Sequence, residues 1–279
     1  MEFQWYPGHM TKARRQMEEN IKLVDIVIEL LDARIPLSSR NPDIDRIANN
    51  KARLLILNKT DLADEKTNKA WAKHFESMGI KVLMMDARKK GSMKPVTDAI
   101  LECCKEKIER DKAKGLRQRP VRAMVCGIPN AGKSTFINSF SGKASTKTGD
   151  TPGVTKGLQW IRLNKQVELL DTPGILWPKF EDQIVGQHIA FIGSIRDEVL
   201  DEAELCLLLI DFLKNNYPDN LKERYGIELL DENLAIMEAI AKRRGCLKKG
   251  AEIDYDRCAG LVLEDFRSGR IGRISVEKP

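Results

Sequence analysis

The sequence predicts an α/β fold, in which a domain built on a mainly parallel sheet is followed by a small all-helical domain. Three short apolar runs, at 26–31, 54–57 and 82–85, are separated by stretches with helical patterns. Such alternation is typical of parallel βαβ units. A fourth strand at 122–126 leads directly into a glycine-rich turn and then a helix. From about residue 178 onward the periodicity is helical, so we expect the sheet to end there.

The remaining elements follow from periodicity and capping signals. Helices are expected at 42–49, 65–78, 96–112 and 133–140, and a β-hairpin at 159–163 and 166–170. Asp201 and Glu204 are placed as an N-cap and its partner before an apolar helix. An apolar stripe at i, i+3, i+4 and i+7 indicates another helix, with Ala259, Val262, Leu263 and Phe266. We therefore expect a sheet domain at 1–178, with an N-terminal arm at 1–20 and a basic linker at 105–120, and a helical domain at 179–279.

Composition narrows the class of protein. The chain has 279 residues, of which 42% are hydrophobic and 32% are charged, as in ordinary globular proteins. No apolar run reaches the ~18 residues that a membrane-spanning helix needs. The N-terminus lacks the basic and apolar regions of a secretory signal. We therefore expect a cytoplasmic protein with no membrane partner.

The net charge of +6 is unevenly distributed along the chain. Residues 105–120 hold seven basic and three acidic residues, and residues 242–279 hold ten and six. Residues 181–232 hold thirteen acidic residues against four Lys or Arg. This asymmetry indicates basic surfaces that bind a polyanion, with solvated helix faces as the alternative.

A phosphate-binding loop is predicted at 127–134, where GIPNAGKS matches G-x-x-x-x-G-K-[ST]. Glycines let the backbone approach phosphates, and the N-terminus of the following helix presents N–H groups to them. Lys133 would reach the β and γ phosphates and act in catalysis, and Ser134 would bind magnesium. The nucleotide-binding residues expected here are Asn130, Ala131, Gly132, Lys133, Ser134 and Thr135.

Two further motifs lie downstream of this loop. Asp171-Thr-Pro-Gly174 ends the second hairpin strand, where Asp171 can hold magnesium and the Gly174 N–H can meet the γ phosphate. Thr155 lies in a Gly/Ser/Thr/Lys-rich stretch and could close over nucleotide and metal. Each signal is weak alone, but their order is typical of a nucleoside triphosphatase with two switch regions.

A guanine-reading motif, Asn58-Lys59-Thr60-Asp61, follows the second strand. Asp61 can accept hydrogen bonds from guanine N1–H and N2–H₂, which adenine does not offer. Lys59 would lay its aliphatic stem over the base, and Asp86-Ala87-Arg88 would supply a backbone N–H to guanine O6. This motif precedes the phosphate loop, whereas an ordinary GTPase has the reverse order. Because a parallel sheet leaves the order of connection open, we interpret the arrangement as a circular permutation.

Two further stretches accompany these motifs, namely Asp32-Ala-Arg-Ile-Pro36 and the N-terminal Trp5-Tyr-Pro-Gly-His-Met10. Together they resemble the bacterial YlqF/RbgA family of circularly permuted GTPases over nearly the whole chain. The resemblance implies a Ras-like P-loop GTPase domain that uses GTP and magnesium, and a helical domain that contacts ribosomal RNA. It also implies a role in late assembly of the large ribosomal subunit. We expect a monomer that binds the large subunit or its precursor through RNA, and not DNA.

Catalysis is the least defined part of this interpretation. Ras-type enzymes place a water-orienting Gln directly after Asp-x-x-Gly, but this chain has Ile175, so intrinsic hydrolysis should be slow. The resemblance implies that His9 is the catalytic residue; an arm that merely packs or contacts RNA is the alternative. A potassium ion near Asn130 is another candidate, because potassium-activated GTPases carry Asn at this place.

Basic residues of the C-terminal region are the candidate RNA contacts, namely Lys242, Arg243, Arg244, Lys248, Lys249, Arg267, Arg270 and Arg273. Contacts to phosphates would give salt-dependent affinity with little sequence information. The leading hypothesis is a ribosome-assembly GTPase stimulated by the ribosomal particle. The alternative is a nucleotide-gated RNA-binding scaffold in which hydrolysis is incidental.

Overall fold

A computed structural model describes residues 3, 5–48, 50–89, 94–116, 119–141 and 158–279. The chain forms two compact units. The sheet unit comprises residues 5–179 and the C-terminal tail, residues 275–279, and the helical unit comprises residues 180–274 together with residue 3. The division expected from sequence, 1–178 and 179–279, has its boundary one residue away from this one and assigns residues 275–279 to the helical domain.

Six strands form one sheet in the sheet unit: β1 (Ile26–Asp32), β2 (Ala52–Asn58), β3 (Lys81–Met84), β4 (Val121–Cys126), β5 (Gln159–Arg162) and β6 (Val167–Asp171). Their spatial order is β3-β2-β1-β4-β6-β5. All neighbouring pairs are parallel except the β5–β6 hairpin. The α/β class predicted from the sequence is therefore confirmed. The carboxyl ends of β1, β2, β4 and β6 share one edge, which is where loops of parallel sheets bind ligands.

Helices cover the sheet and account for its continuous apolar strands. They are α1 (Gly8–Asn20), α2 (Pro42–Ile47), α3 (Glu65–Ser77), α4 (Lys94–Cys103), α5 (Lys105–Ala113) and α6 (Lys133–Ser141). Every residue of β1 is buried, as expected for a central strand with both faces covered. On one face, Trp71 and Phe75 of α3 pack in a cluster with Leu55 and Leu57.

The region expected as one helix at 96–112 and a basic linker at 105–120 has a different structure. The helix is divided at Cys104 into α4 and α5, so most of the expected linker is helical. Lys107 explains part of this stability, because its Nζ lies 2.5 Å from Asp111 one turn later. Arg119 then pairs with Asp25 just before β1, with nitrogen–oxygen distances of 2.8 Å.

The helical unit consists of α7 (Gln183–Phe191), α8 (Glu202–Asn216), α9 (Pro218–Tyr225), α10 (Asn233–Arg244) and α11 (Tyr255–Arg267). The side chain of Asp201 accepts a hydrogen bond of 2.9 Å from the Glu204 N–H, which confirms the predicted N-cap of α8. The stripe on α11 is buried as predicted and packs chiefly against α8 and α10. Its members are Ala259, Val262, Leu263 and Phe266.

The two longest apolar runs of the sequence lie inside these cores. Residues 24–31 end within strand β1, and residues 205–213 belong to the 15-residue helix α8. Across the part of the chain that the structure describes, no helix combines the length and apolarity required to cross a membrane.

Candidate nucleotide-binding site

The phosphate loop connects β4 to α6 at the carboxyl edge of the sheet, and its backbone requires glycine. Gly127 and Gly132 have φ angles of 149° and 93°, which L side chains rarely adopt. A Cβ on Gly127 would clash with the carbonyl oxygen of Leu30, and one on Gly132 would clash with the Asn58 amide. These glycines therefore let the loop approach the ends of β1 and β2.

Lys133 begins α6 and folds back into the loop. Its Nζ donates hydrogen bonds to the carbonyl oxygens of Gly127 and Ile128, at 3.1 and 3.0 Å. Burial lowers the pKa of Lys133 to about 8, against the opposite effect of the Asp171 carboxylate. A Cβ on Gly174 would lie 2.8 Å from the same Nζ, so the Asp-x-x-Gly turn passes directly over the lysine. A phosphate in this loop would meet a cation that is already in position.

Asp171 is the last residue of β6 and lies beside Lys133. The surroundings of its carboxylate show whether a magnesium ion would fit at this position. Both of its carboxylate oxygens are buried, and neither makes a hydrogen bond of normal geometry. Burial raises the pKa of Asp171 to about 6, against the lowering effects of Lys133 and of the Thr172 N–H. A buried carboxylate without hydrogen bonds next to a phosphate loop fits a hard divalent cation, which prefers oxygen ligands. Ser134 lies half-buried in the first turn of α6, as the second expected ligand.

Because the pKa of Asp171 is raised, we expect magnesium-dependent nucleotide binding to weaken under acid conditions. The Asp171 carboxyl is ionised above about pH 6 and neutral below it, so its attraction for the cation is lost as the pH falls through 6. Below pH 6 we expect the magnesium-dependent affinity for a fluorescent GTP analogue to fall by up to about tenfold per pH unit.

The matched control is Asp171→Asn, titrated between pH 5 and 8. Phosphate groups of the nucleotide and Lys133, whose pKa is about 8, also titrate in this range, and the variant reports their combined share. Parallel pH profiles for the two proteins would contradict the assignment to Asp171.

Asn58, the last residue of β2, ties the base-reading motif to the phosphate loop. Its Nδ2 donates to the Ala131 carbonyl at 2.9 Å, and its Oδ1 accepts the Ala87 N–H at 3.0 Å. Lys59 reaches the same loop, because its Nζ lies 2.6 Å from the Asn130 carbonyl oxygen. Asn130 itself has a φ of 59°, a conformation that Asn tolerates better than most residues. The motifs that the sequence separates by about 70 residues are thus hydrogen-bonded neighbours, as Asn58 and Ala131 are 73 positions apart.

The carboxylate expected to read guanine has one oxygen available. Asp61 Oδ1 is buried without a hydrogen-bond partner, whereas Oδ2 pairs with the Arg88 guanidinium. Arg88 also lies 3.1 Å from Asp86 Oδ1, so it is shared between two carboxylates. Ala87, expected to offer its N–H to guanine O6, donates that N–H to Asn58 in this structure. Its role toward the base stays a prediction.

A buried ion-pair network behind this motif was not recognised from the sequence as part of the site. Arg34 binds Asp32 through two hydrogen bonds of 2.9 and 2.8 Å, and both side chains are almost fully buried. Lys59 Nζ lies 3.1 Å from Asp32 Oδ2, the oxygen that also accepts the 2.8 Å bond from Arg34. Burial opposes ionisation of Asp32, but the charges of Arg34 and then Lys59 outweigh it and hold its pKa well below the usual range.

The position of this network could have been found in the sequence. Asp32 and Asn58 are paired residues at the ends of the parallel strands β1 and β2. The signal is therefore a charged residue at the end of a buried, mostly apolar strand, level with the Asn58-Lys59 motif. Asp32 holds the ammonium group of Lys59, which leaves the aliphatic stem of that lysine for contact with a base.

His9 and Thr155 are not brought into this group of contacts. His9 is exposed in the first turn of α1, and its ring lies edge-on to Trp5 with 6.3 Å between centroids. The next residue, Met10, is buried, and its sulfur accepts the Leu176 N–H at 3.4 Å. The start of α1 therefore packs against the segment that follows Gly174. Thr155 lies outside the described residues.

The basic residues of the helical unit divide into exposed and paired groups. Lys242, Arg243, Arg244, Lys248 and Lys249 are exposed at the end of α10 and in the turn after it. Arg273 is exposed as well, whereas the remaining two candidates, Arg267 and Arg270, bind within the unit, which corrects the expectation from the sequence. Arg267 pairs with Asp197 at 2.8 Å and donates to two carbonyls of α7, and Arg270 pairs with Asp265 at 3.2 Å. Buried carbonyl and carboxylate oxygens need such donors.

The chain is similar to known proteins over its whole length. The sequence model of a family described as 50S ribosome-binding GTPase matches residues 122–244. The chain is 48% identical to ribosome biogenesis GTPase A of Bacillus cereus, over 100% of this chain and 95% of that protein. It is also 48% identical to the protein of that name from Bacillus licheniformis, over 100% and 99%. The crystal structure of GNP-bound YlqF from T. maritima covers 96% of this chain and 98% of its own, with 30% identity and a TM-score of 0.67.

Proposed function

The chain belongs to the ribosome biogenesis GTPase A family, whose members are GTPases of ribosome assembly, and from this premise we propose how it works. It binds a precursor of the large ribosomal subunit through ribosomal RNA in its GTP state. It then hydrolyses GTP when the particle stimulates it, late in the assembly of that subunit. The observation that carries this proposal is the convergence of base-reading, phosphate-binding and metal-binding residues around Asn58 and Lys133.

We also infer that the sheet is a circularly permuted GTPase domain. The guanine-reading strand β2 precedes the phosphate-loop strand β4 in the chain, yet both are direct neighbours of β1. The chain leaves the Asp-x-x-Gly turn through residues 175–179 and continues into the helical unit. Loss of the γ phosphate from Gly174 can therefore change the conformation of residues 175–179, which lead into the helical unit.

In this mechanism each described residue has a definite task. Lys133 neutralises charge on the β and γ phosphates, and the loop N–H groups and the start of α6 bind the phosphate oxygens. Ser134 and Asp171 would hold magnesium, which would supply positive charge to the phosphates. Asp61 accepts guanine N1–H and N2–H₂, while Asp32 keeps the Lys59 stem beside the base.

The chain lacks its own residue for orienting the attacking water after Gly174. Ile175 is buried, its N–H points to the Gly127 carbonyl at 3.4 Å, and its side chain has no polar atom. We therefore expect intrinsic turnover on the order of 10⁻⁴ s⁻¹, as in unassisted small GTPases. His9 is our candidate for the missing group, because its neighbour Met10 contacts Leu176.

His9→Ala should lower the rate of hydrolysis in the presence of large ribosomal subunits by on the order of a hundredfold, the lower range for a general acid or base. Nucleotide affinity should be unchanged, because His9 is exposed on α1 and no nucleotide contact is assigned to it. Single-turnover kinetics with and without subunits measure the effect, with His74→Ala on the exposed side of α3 as the control. A normal stimulated rate would instead indicate that residues 1–20 act only as a packing or RNA-contacting arm.

Potassium is the second source of positive charge that we propose to test. The Asn130 side chain lies in the phosphate loop, where a monovalent cation would sit near the transferred phosphate. Turnover in potassium should exceed turnover in sodium at equal ionic strength. Equal rates in the two salts would exclude this role.

The exposed basic residues of α10 and its following turn are proposed to contact RNA phosphates. Five Lys or Arg side chains lie within eight positions, from 242 to 249, and all are exposed. Phosphate contacts of this kind weaken steeply with salt. We propose that the protein acts in the cytoplasm as a monomer.

One assay tests the function as a whole, namely GTP turnover in potassium with and without isolated large ribosomal subunits. Strong stimulation supports a ribosome-triggered enzyme. Co-sedimentation with the same subunits then compares the GTP-analogue and GDP states, and the proposal requires tighter association with the analogue. Association that depends on nucleotide without any stimulated hydrolysis would favour the RNA-binding scaffold.

A further inference from the structure

Residues 33–41, the β1–α2 loop, form a compact and mostly buried segment directly after the Asp32–Arg34 pair. Ser39 is fully buried, and its hydroxyl accepts the Asp32 N–H at 3.2 Å and donates to the Pro36 carbonyl at 3.3 Å. Its own N–H donates to the Ile35 carbonyl at 2.9 Å. These bonds tie Ser39 to the start of the loop, so residues 32–39 are held together by their own hydrogen bonds.

Asn41 ends this loop and reaches the segment after the Asp-x-x-Gly turn. It is 1% exposed, and its two amide atoms have different partners. The oxygen caps α2 by accepting the Asp43 N–H at 2.9 Å, and the Nδ2 donates to the Ile175 carbonyl at 3.1 Å. Since the Ile175 N–H points to the Gly127 carbonyl, both backbone polar groups of Ile175 are held. The peptide that follows Gly174 is thus fixed between the phosphate loop and Asn41.

Residues 34–38 of this loop are held by the C-terminal tail. The Glu277 carboxylate accepts the N–H groups of Leu37 and Ser38, at 2.7 and 3.0 Å, and also the Ser38 hydroxyl. The Val276 N–H donates to the Arg34 carbonyl at 2.8 Å, and Trp71 Nε1 donates to the Glu277 carbonyl at 3.2 Å. The tail is therefore bound by backbone and side-chain hydrogen bonds along its length.

We propose that Asn41 is a positioning residue for GTP hydrolysis, and that the Glu277 carboxylate keeps the loop that carries Asn41 in place. Asn41 holds the Ile175 carbonyl, and thereby the turn whose Gly174 N–H meets the γ phosphate. The inference rests on the GTPase activity of the family and on the site described above. The helical unit is covalently continuous with residues 175–179 at one end and with the C-terminal tail at the other. Both of these segments are hydrogen-bonded to the β1–α2 loop.

Asn41→Asp separates this role from helix capping. Aspartate caps a helix as well as asparagine does, so the bond from the Asp43 N–H is retained. A carboxylate oxygen then faces the Ile175 carbonyl where a donor stood, and the buried carbonyl loses its partner. We expect kcat, intrinsic and subunit-stimulated, to fall by on the order of tenfold or more. The dissociation constant for GDP should stay within about twofold, because GDP has no γ phosphate to meet the Gly174 N–H, and that for GTP should rise more.

Hydrogen exchange followed by mass spectrometry gives a readout that does not depend on activity. In Asn41→Asp, amide exchange at 174–177 should be faster, while exchange in the phosphate loop at 127–134 stays as in the wild type. Glu277→Gln should act in the same direction but more weakly, since an amide supplies one acceptor where a carboxylate supplies two. Lys278→Ala, an exposed neighbour, is the matched control and should leave both readouts unchanged.

Wild-type kcat and wild-type exchange at 174–177 in Asn41→Asp would overturn the inference. If Asn41→Asp lowers the melting temperature strongly, Glu277→Gln supplies the same two readouts in a folded protein, and unchanged values there overturn it equally. The test is independent of ribosomal stimulation. A wild-type protein that subunits fail to stimulate would contradict the proposed function, while intrinsic turnover and exchange still decide the role of Asn41.

Discussion

Asp61→Asn should convert the protein from a GTP-binding to a xanthosine-triphosphate-binding one. The Asp61 Oδ1 is buried and has no hydrogen-bond partner among the described residues, as expected for an acceptor awaiting N–H groups. Guanine supplies two donors, at N1 and at the N2 amino group, whereas xanthine carries a carbonyl oxygen at C2. Asparagine offers one acceptor and one donor, which match xanthine and leave the guanine amino group facing an amide donor.

We expect the affinity for GTP to fall by on the order of 10⁴, the discrimination found where a buried polar group loses its partner. The measurement is competition of GTP, xanthosine triphosphate and ATP against a fluorescent guanine nucleotide. Asp64→Asn is the control, because the Asp64 side chain caps α3 by accepting the Thr67 N–H and hydroxyl, and the asparagine oxygen can accept the same bonds. Unaltered GTP affinity in Asp61→Asn would show that the base is recognised elsewhere.

Asp32→Asn should destabilise the sheet unit by about 3–5 kcal/mol, the usual cost of leaving one partner of a buried ion pair without its counter-charge. Arg34 is 1% exposed, and the variant would leave its guanidinium facing a neutral amide. Lys59 loses the same carboxylate, so guanine binding should also weaken. Urea unfolding at pH 7 measures the loss, in the transition that includes Trp71 of α3.

The difference in stability between wild type and Asp32→Asn should depend on pH in a defined direction. The folded-state pKa of Asp32 lies below its ordinary value, so its contribution to stability is complete above about pH 4 and is lost as the pH falls below that. Wild type and Asp32→Asn should therefore become more similar in stability under acid conditions. Asp45→Asn is the control, since its carboxylate is half exposed in its pairs with Arg40 and Arg53 and should contribute at most about 1 kcal/mol. Equal losses for the two variants would contradict the assignment of the large effect to burial.

The parts of the fold and site that the sequence predicted are those written in short contiguous patterns. The apolar run of β1 and the capping signal at Asp201 depend on neighbours in sequence, and both are found in the structure. The phosphate loop is recognisable because its glycines, Lys133 and the following helix are adjacent. The meeting of this loop with Asn58 followed from one long-range rule, that parallel strands end at the same edge.

The parts that sequence reasoning missed depend on contacts between distant residues. Asn41 and Ile175 are 134 positions apart, and Leu37 and Glu277 are 240 positions apart, so no local pattern pairs them. Arg267 reads as surface charge because its acceptors, in α7 and at Asp197, come together with it only in the packed unit, whereas the acceptor of Arg270 lies only five positions away. The division between α4 and α5 at Cys104 likewise reflects packing, since the periodicity runs through it.

The bond between Asn58 and Ala131 has a consequence for folding. The nucleotide pocket exists only after β4 has joined β1, because its two halves come from segments 73 positions apart. Pairings between segments that are distant in sequence form slowly, so the pocket stays incomplete until β4 has paired with β1. A nucleotide binds only the closed arrangement and therefore stabilises it, by about 2.7 kcal/mol at a hundredfold excess over its dissociation constant. Guanine nucleotide in the cell is therefore a ligand that stabilises the native fold, as well as the substrate of the reaction.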